Sequence, residues 1–314
     1  MSIRAVVVDP SAQAHLTLGV VDAPTPGAGD AVIRVHAISL NRGETRGAQT
    51  AAAGARPGWD IAGVIDQPAA DGSGPKAGQR VVGVLRTGAW AELVAVPTAN
   101  IAVLPDAVSF AQASTLPVAG LTALYALDRG DGLIGRNVLI TGASGGVGNL
   151  GIQIAKQGGA RVTGLVRQEK HLPSVRTAGA DLAVADETGL AAKEGGPFHL
   201  VLESVAGQVL GNIMNVGMMA PAGQIVCYGV SAGGQASFDS SVFLRGRITV
   251  SGLFVFTELQ REGAGVGLTR LANMVAAGTL KPEISVEGDW KEIGAVAQQL
   301  LDRTYPGKAV LHVS

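Results

Sequence analysis

A chain of 314 residues exceeds what a single hydrophobic core usually fills, so two domains are expected. A hydrophobic content of 47% with 16% charged residues excludes a disordered or supercharged protein, and a formal net charge of -1 without lysine or arginine runs excludes a nucleic-acid or anionic-membrane partner. The one cysteine, Cys227, can make neither an intrachain disulfide nor a cysteine-based zinc site, and inside its apolar run it reads as a buried thiol in a reducing compartment.

From the start of the chain to about Pro105 the pattern is of short strand-like runs, at residues 3–8, 31–38, 61–65, 80–85 and 90–96, separated by turn formers such as Asp71-Gly72-Ser73-Gly74-Pro75. This half reads as an irregular, mostly β domain, and Ala/Gly-rich residues 47–55 read as a mobile loop. No secretory leader precedes the first run, and no apolar stretch reaches the ~20 residues of a membrane helix, so a soluble, cytoplasmic protein without a membrane partner is expected. Beyond Pro105, Ser109-Phe110-Ala111-Gln112 has capping-box spacing ahead of a helical stretch. Strands at residues 137–141, 161–166, 182–184, 199–203, 224–229 and 248–253 then alternate with helical segments. The apolar runs Val138-Leu139-Ile140 and Leu200-Val201-Leu202 suit a parallel sheet covered on both faces, hence a doubly wound α/β domain. Two amphipathic helices follow, one carrying Leu268, Leu271 and Val275, the other Ile293, Val296 and Leu300, and a last strand is expected at residues 308–313.

Between the strand at 137–141 and a helix carrying Val147, Leu150 and Ile154 lies Gly142-Ala143-Ser144-Gly145-Gly146-Val147-Gly148. A pyrophosphate needs backbone N–H groups aimed at it with no Cβ in the way, and a helix N-terminus adds the positive end of its dipole. The spacing is G-x-x-G-x-x-G, unlike the commoner G-x-G-x-x-G, and the strand–turn–helix setting supplies much of its weight; a tight packing turn is the plain alternative. About 20 residues on, where an acid would hold the ribose of NAD and an arginine the 2′-phosphate of NADP, stand Arg167-Gln168-Glu169-Lys170. Arg167 and Lys170 favour NADP(H), while Glu169 keeps NAD as the minor reading.

The ordered motifs Ser39-Leu40-Asn41-Arg42-Gly43-Glu44, Pro57-Gly58-Trp59-Asp60-Ile61-Ala62-Gly63, Gly88-Ala89-Trp90-Ala91-Glu92 and Leu116-Pro117-Val118-Ala119-Gly120-Leu121-Thr122-Ala123 run along the chain. With the glycine turn, Glu203-Ser204-Val205 and Gly307-Lys308-Ala309-Val310, they resemble the zinc-independent quinone oxidoreductase branch of the medium-chain dehydrogenase/reductases. The resemblance implies a GroES-like catalytic domain from residues 1–115 and 257–314, a Rossmann domain at residues 116–256, and a homodimer. Carried over by position, it implies Asn41 and Thr122 near the nicotinamide, Ser144, Gly145, Gly146 and Val147 at the pyrophosphate, and Arg167 and Lys170 at the 2′-phosphate. Tyr228 and Gly229 would border the adenosine, and Leu253 and Phe254 the nicotinamide pocket. Zinc-containing relatives carry Gly-His-Glu where this chain has Gly58-Trp59-Asp60; His15, His36, His171, His199 and His312 are scattered, so no metal site is expected.

The activity so implied is conjugate reduction of a small quinone or enone by NADPH, with Asn41 or Arg46 stabilising the anion formed and water returning the proton. Arg46 stands where several such reductases have tyrosine. Asn41 can equally be a turn residue bonding its own backbone and Arg46 a surface charge, and Glu44 and Tyr125 are weaker candidates. Two further readings stay open: a non-catalytic NADP(H)-binding sensor or structural protein, and an enoyl-thioester reductase, for which no basic cluster is evident.

Overall fold

The computed structural model of the chain describes residues 1–261 and 263–314. It divides into two compact units, one of residues 1–121, 258–278 and 282–314, the other of residues 122–257 and 279–281.

In the second unit, runs of apolar residues bounded by turn formers become the strands Asn137–Thr141, Arg161–Val166, Leu182–Ala185, Phe198–Glu203, Met219–Cys227 and Thr249–Gly252. They pair in parallel as one six-stranded sheet, and in chain order they lie 3-2-1-4-5-6 across it. Val138, Leu139, Ile140, Val201 and Leu202 are all fully buried, as strands covered by helices on both faces must be. Helix Gly146–Gln157 buries Leu150, Ile152 and Ile154, and helix Gly207–Asn215 buries Val209, Ile213 and Met214. Each fully buried aliphatic side chain of this kind contributes about 1.5–3 kcal/mol. This is the doubly wound arrangement expected of the sequence. Its winding reverses between the first and fourth strands, where such sheets bind ligands beyond their carboxyl ends.

The first unit is mostly β. Strand Asp30–Ser39 is its hub, pairing antiparallel with Asp60–Gln67, Leu93–Pro97 and Lys308–His312. Arg80–Val84 and Ile101–Val103 extend the sheet on one side and Ile284–Asp289 on the other, seven strands among the described residues, and Ser2–Val8 pairs separately with Leu16–Asp22. Trp90, Trp290, Ile33, Ile38, Ile61 and Leu311 form the centre of its core.

Several expectations need correction. Strands Leu16–Asp22, Ile101–Val103 and Ile284–Asp289 were not foreseen: Ile101–Val103 has three residues, and the other two bury little and carry glycine within the run. Residues 47–55 are not a mobile loop. Gly47 and Ala48 complete the helix Arg42–Ala48, and the segment is tied down where Gln49 Nε2 donates to Ala14 O (2.7 Å), Gly54 N to Val8 O (2.8 Å) and Val8 N to Ala55 O (2.9 Å). The Ser109 capping box is present: Gln112 N donates to Ser109 Oγ and Ser109 N to Gln112 Oε1, both at 3.1 Å. Among the described residues no helix is long and apolar enough to cross a membrane.

Candidate functional site

The glycine turn has physical reasons for each outer glycine. Gly142 adopts φ +60°, and a Cβ there would stand 2.5 Å from Ser204 Oγ. A Cβ on Gly148 would lie 2.6 Å from both Ala143 Cα and Gly142 O, backbone that cannot swing aside. Gly145 is exposed, and a Cβ there would meet Gly142 O at 3.4 Å. It caps the twelve-residue helix Gly146–Gln157 without a side-chain bond. The first helical bond runs from Asn149 N to Gly145 O (2.8 Å), so the amides of Gly146, Val147 and Gly148 precede the helical ladder. Such an N-terminus suits an anion, and the residues present fit a dinucleotide's pyrophosphate.

Ala143 N donates to Leu165 O (3.0 Å), joining the turn to the end of the second strand. Arg167 follows that strand directly and is exposed, as are Glu169 and Lys170 in the short turn Glu169–His171. Neither Arg167 nor Lys170 forms an ion pair among the described residues.

At the end of the fourth strand stands a carboxylate whose role went unread in the sequence. Glu203 is fully buried; its Oε1 accepts from Val205 N (2.8 Å), Ala206 N (3.0 Å) and Thr141 Oγ1 (3.1 Å), and its Oε2 from Ala206 N (2.9 Å). Burial pushes this carboxyl above its ordinary range, and the backbone and hydroxyl donors partly offset that. Ala206 sits at φ +60°, ψ −149°, a region essentially reserved for glycine, so the Glu203 bonds hold a strained loop in place. Ser204 Oγ donates to Thr141 O (2.9 Å). Tyr228 and Gly229 lie just past the fifth strand, with Tyr228 N donating to Glu203 O (2.8 Å). Burial raises the Tyr228 hydroxyl well above its ordinary value, and raises the Cys227 thiol to about 11, with Glu203 adding to both. Leu253 is buried and bonds through its amide to Cys227 O (2.8 Å), Phe254 is half exposed, and Thr122 is buried in helix Leu121–Asp128. Ser144 to Val147, Tyr228 and Gly229 therefore gather with Glu203 and Ser204 at the reversal of the sheet.

Asn41 and Arg46 belong to the first unit. Arg46 is exposed in the last turn of helix Arg42–Ala48, and its side chain forms no ion pair among the described residues. Asn41 caps that helix in a capping box with Glu44, and its side chain also joins a buried polar cluster. Asn41 Nδ2 donates to Asp60 Oδ2 (2.6 Å) and Glu44 Oε1 (3.0 Å), and Asn41 Oδ1 accepts from Lys308 Nζ (2.6 Å). Lys308, 4% exposed, also reaches Leu40 O (2.8 Å) and Asp60 Oδ2 (3.3 Å). Asp60 is fully buried and accepts further bonds from Ser39 Oγ (2.8 Å) and Val118 N (3.0 Å). Burial first, then the Asp60 carboxylate, holds the Glu44 carboxyl well above its usual range. Asp60 and Lys308 stood inside sequence motifs without a role, since 248 residues separate them. Among the described residues no three histidine, cysteine or acidic side chains gather as metal ligands.

Comparison with known proteins adds two family matches: "Alcohol dehydrogenase GroES-like domain" over residues 27–106 and "Zinc-binding dehydrogenase" over residues 146–267. The chain is 31% identical over 271 residues to a 2-methylene-furan-3-one reductase of Solanum lycopersicum, covering 82% of this chain and 63% of that one. It is 36% identical over 178 residues to a chloroplast envelope quinone oxidoreductase homolog of Arabidopsis thaliana, covering 51% and 54%. The match thus spans less than two thirds of either protein's own length. The quinone oxidoreductase structure from Coxiella burnetii superposes with a TM-score of 0.85 over 100% of both chains at 24% identity, a likeness of fold.

Proposed function

The chain belongs to the medium-chain dehydrogenase/reductase superfamily of oxidoreductases, and on that premise we propose that it is a zinc-independent, NADPH-dependent reductase of quinones or α,β-unsaturated carbonyl compounds. The observation that carries the reading is the glycine turn at the helix N-terminus with Arg167, exposed and without an ion pair among the described residues, at the next strand end. Gly146 and Val147 would donate their amides to the pyrophosphate, Ser144 would border it, and Arg167 with Lys170 would hold the 2′-phosphate. Tyr228 and Gly229 would flank the adenosine half, while Asn41, Thr122, Leu253 and Phe254 would meet the nicotinamide half.

When bound, the cofactor supplies hydride to an electron-poor carbon. The chain's contribution is to place the acceptor and to stabilise the oxyanion that forms at its carbonyl. Arg46, exposed and without an ion pair among the described residues, would supply a positive charge and N–H donors there. Protonation from water completes the reduction. No zinc role is included, because Trp59 and Asp60 stand where zinc-containing relatives have His and Glu. A homodimer completes the reading on family grounds, and light scattering tests it; the single cysteine supports a reducing, cytoplasmic setting.

The test is a turnover screen of NADPH against small quinones, 2-alkenals and enoyl thioesters, with the protein's metal content measured alongside. Consumption with a quinone or 2-alkenal by metal-free protein is expected. No turnover across the quinone and 2-alkenal panels would refute the reading.

A further inference from the structure

The ladder between the first and fourth strands of the parallel sheet ends at the pair Ile140 and Leu202. Beyond it one chain enters the glycine turn and the other the loop at residues 204–206, and side chains join them where the backbone ladder stops. Thr141 and Ser204 bridge the gap in both directions: Ser204 N donates to Thr141 Oγ1 (2.8 Å), and Ser204 Oγ donates to Thr141 O (2.9 Å). Thr141 Oγ1 gives its own hydrogen to Glu203 Oε1 (3.1 Å), and the same carboxylate fixes the amides of Val205 and Ala206. Thr141 and Glu203 are fully buried, so no water replaces these bonds when one is lost. From the other side Ser231 N donates to Ser204 O (3.1 Å) and Ala232 N to Val205 O (2.8 Å), bracing the loop against the segment that follows the fifth strand.

The bridge reaches the start of helix Gly146–Gln157. Gly142, next to Thr141, turns the chain at φ +60° with Ser204 Oγ against it, 2.5 Å from where a Cβ would stand. Gly142 O accepts from Gly145 N (3.0 Å), and Gly145 is the residue that caps the helix. The direction of the Gly146 and Val147 amides is therefore set, through Gly142 and Gly145, by how Thr141 is held against Ser204. All of these residues belong to the second unit. On the reading of the preceding section, we propose that Thr141 and Ser204, anchored by Glu203, are positioning residues that aim the amides of Gly146 and Val147 at the pyrophosphate of the bound cofactor. They act through the turn. Arg167 is placed separately: it follows the second strand, whose ladder with the first runs on to the pair Thr141 and Leu165 through backbone alone. Loss of the bridge should thus be felt at the pyrophosphate and not at the 2′-phosphate.

The experiment measures affinity for NADPH by fluorescence titration and for adenosine 2′-monophosphate, which has no pyrophosphate, by its competition with NADPH. The variants are Thr141→Val, which keeps the shape and loses the hydroxyl, Thr141→Ser, which restores it, and Ser204→Ala. Thr141→Val and Ser204→Ala should each weaken NADPH about tenfold and leave the monophosphate within about twofold, whereas Thr141→Ser should stay within about threefold of wild type for both ligands. The Thr141→Val/Ser204→Ala pair should lose less than the product of the single losses, since both changes open one bridge. Should Thr141→Val fail to fold, Ser204→Ala, at a half-buried position, gives the same reading. Equal weakening of both ligands, additive losses, a Thr141→Ser variant as weak as Thr141→Val, or unchanged NADPH affinity in folded variants would overturn the proposal. A wild-type protein that binds neither ligand would instead sink the cofactor reading itself, and this proposal with it.

Discussion

Replacing Arg167 by Glu isolates cofactor selection from folding. Arg167 is exposed and forms no ion pair among the described residues, so the substitution should change stability by no more than about 0.5 kcal/mol. If Arg167 holds the 2′-phosphate, the variant loses one charge-assisted hydrogen bond of about 1.5–3 kcal/mol, a factor of about 10–150 in NADPH affinity. A carboxylate facing a phosphate adds repulsion, and Lys170 in the following turn retains part of the attraction. Glutamate in that place can accept from a ribose hydroxyl, so NADH affinity should hold or rise. The ratio of NADPH to NADH affinity should therefore fall by about 100-fold. Fluorescence titrations with both cofactors at low and high salt measure it. The wild-type preference should weaken with salt, and the variant's ratio should respond less. A ratio within about twofold of wild type would refute the assignment of Arg167.

Gly148→Ala places a Cβ against backbone at 2.6 Å, which should cost about 1–3 kcal/mol in thermal unfolding and weaken NADPH more than any exposed substitution in the same helix. Unchanged unfolding and binding would mean that the close turn is not required. Glu203→Ala orphans the buried amide of Ala206, worth about 1–3 kcal/mol, and should make the loop after Glu203 the first site of limited proteolysis; unaltered proteolysis would contradict its pinning role. The Glu44 carboxyl sits well above its ordinary 4.5, through burial and then Asp60, with Lys308 opposing, so the folded state holds this proton more tightly than the unfolded chain. Its contribution is complete below that ordinary value and is lost as pH rises through the folded-state value. Wild-type Tm should accordingly fall more, as pH rises from the ordinary carboxylate range upward, than the Tm of Glu44→Gln, which keeps the shape without titrating. Parallel Tm profiles for the two proteins would refute this.

The parallel-sheet unit was legible because its chemistry is local. Strands Asn137–Thr141 and Arg161–Val166 are apolar on both faces, and the turn after the first needs glycine at Gly142 and Gly148 for reasons of backbone geometry alone. In the mostly β unit, Ile101–Val103 has three residues and Ile284–Asp289 has no fully buried residue, so their pairing is decided by other strands of the sheet. Helix Arg42–Ala48 carries two glycines among seven residues and reads as a loop by propensity. The spacing Asn41-x-x-Glu44 was its signal, the same spacing that revealed the helix after Ser109. The cluster around Asn41 could not be read locally, because the lysine that bonds it arrives on the last strand.

The most direct test of the account is isotopic. NADPH deuterated at the transferring position of the nicotinamide is incubated with the protein and a 2-alkenal, and the product is examined by NMR. The account predicts deuterium on the β carbon and a solvent-derived proton on the α carbon. Deuterium at the carbonyl carbon, or a product free of label, would contradict it.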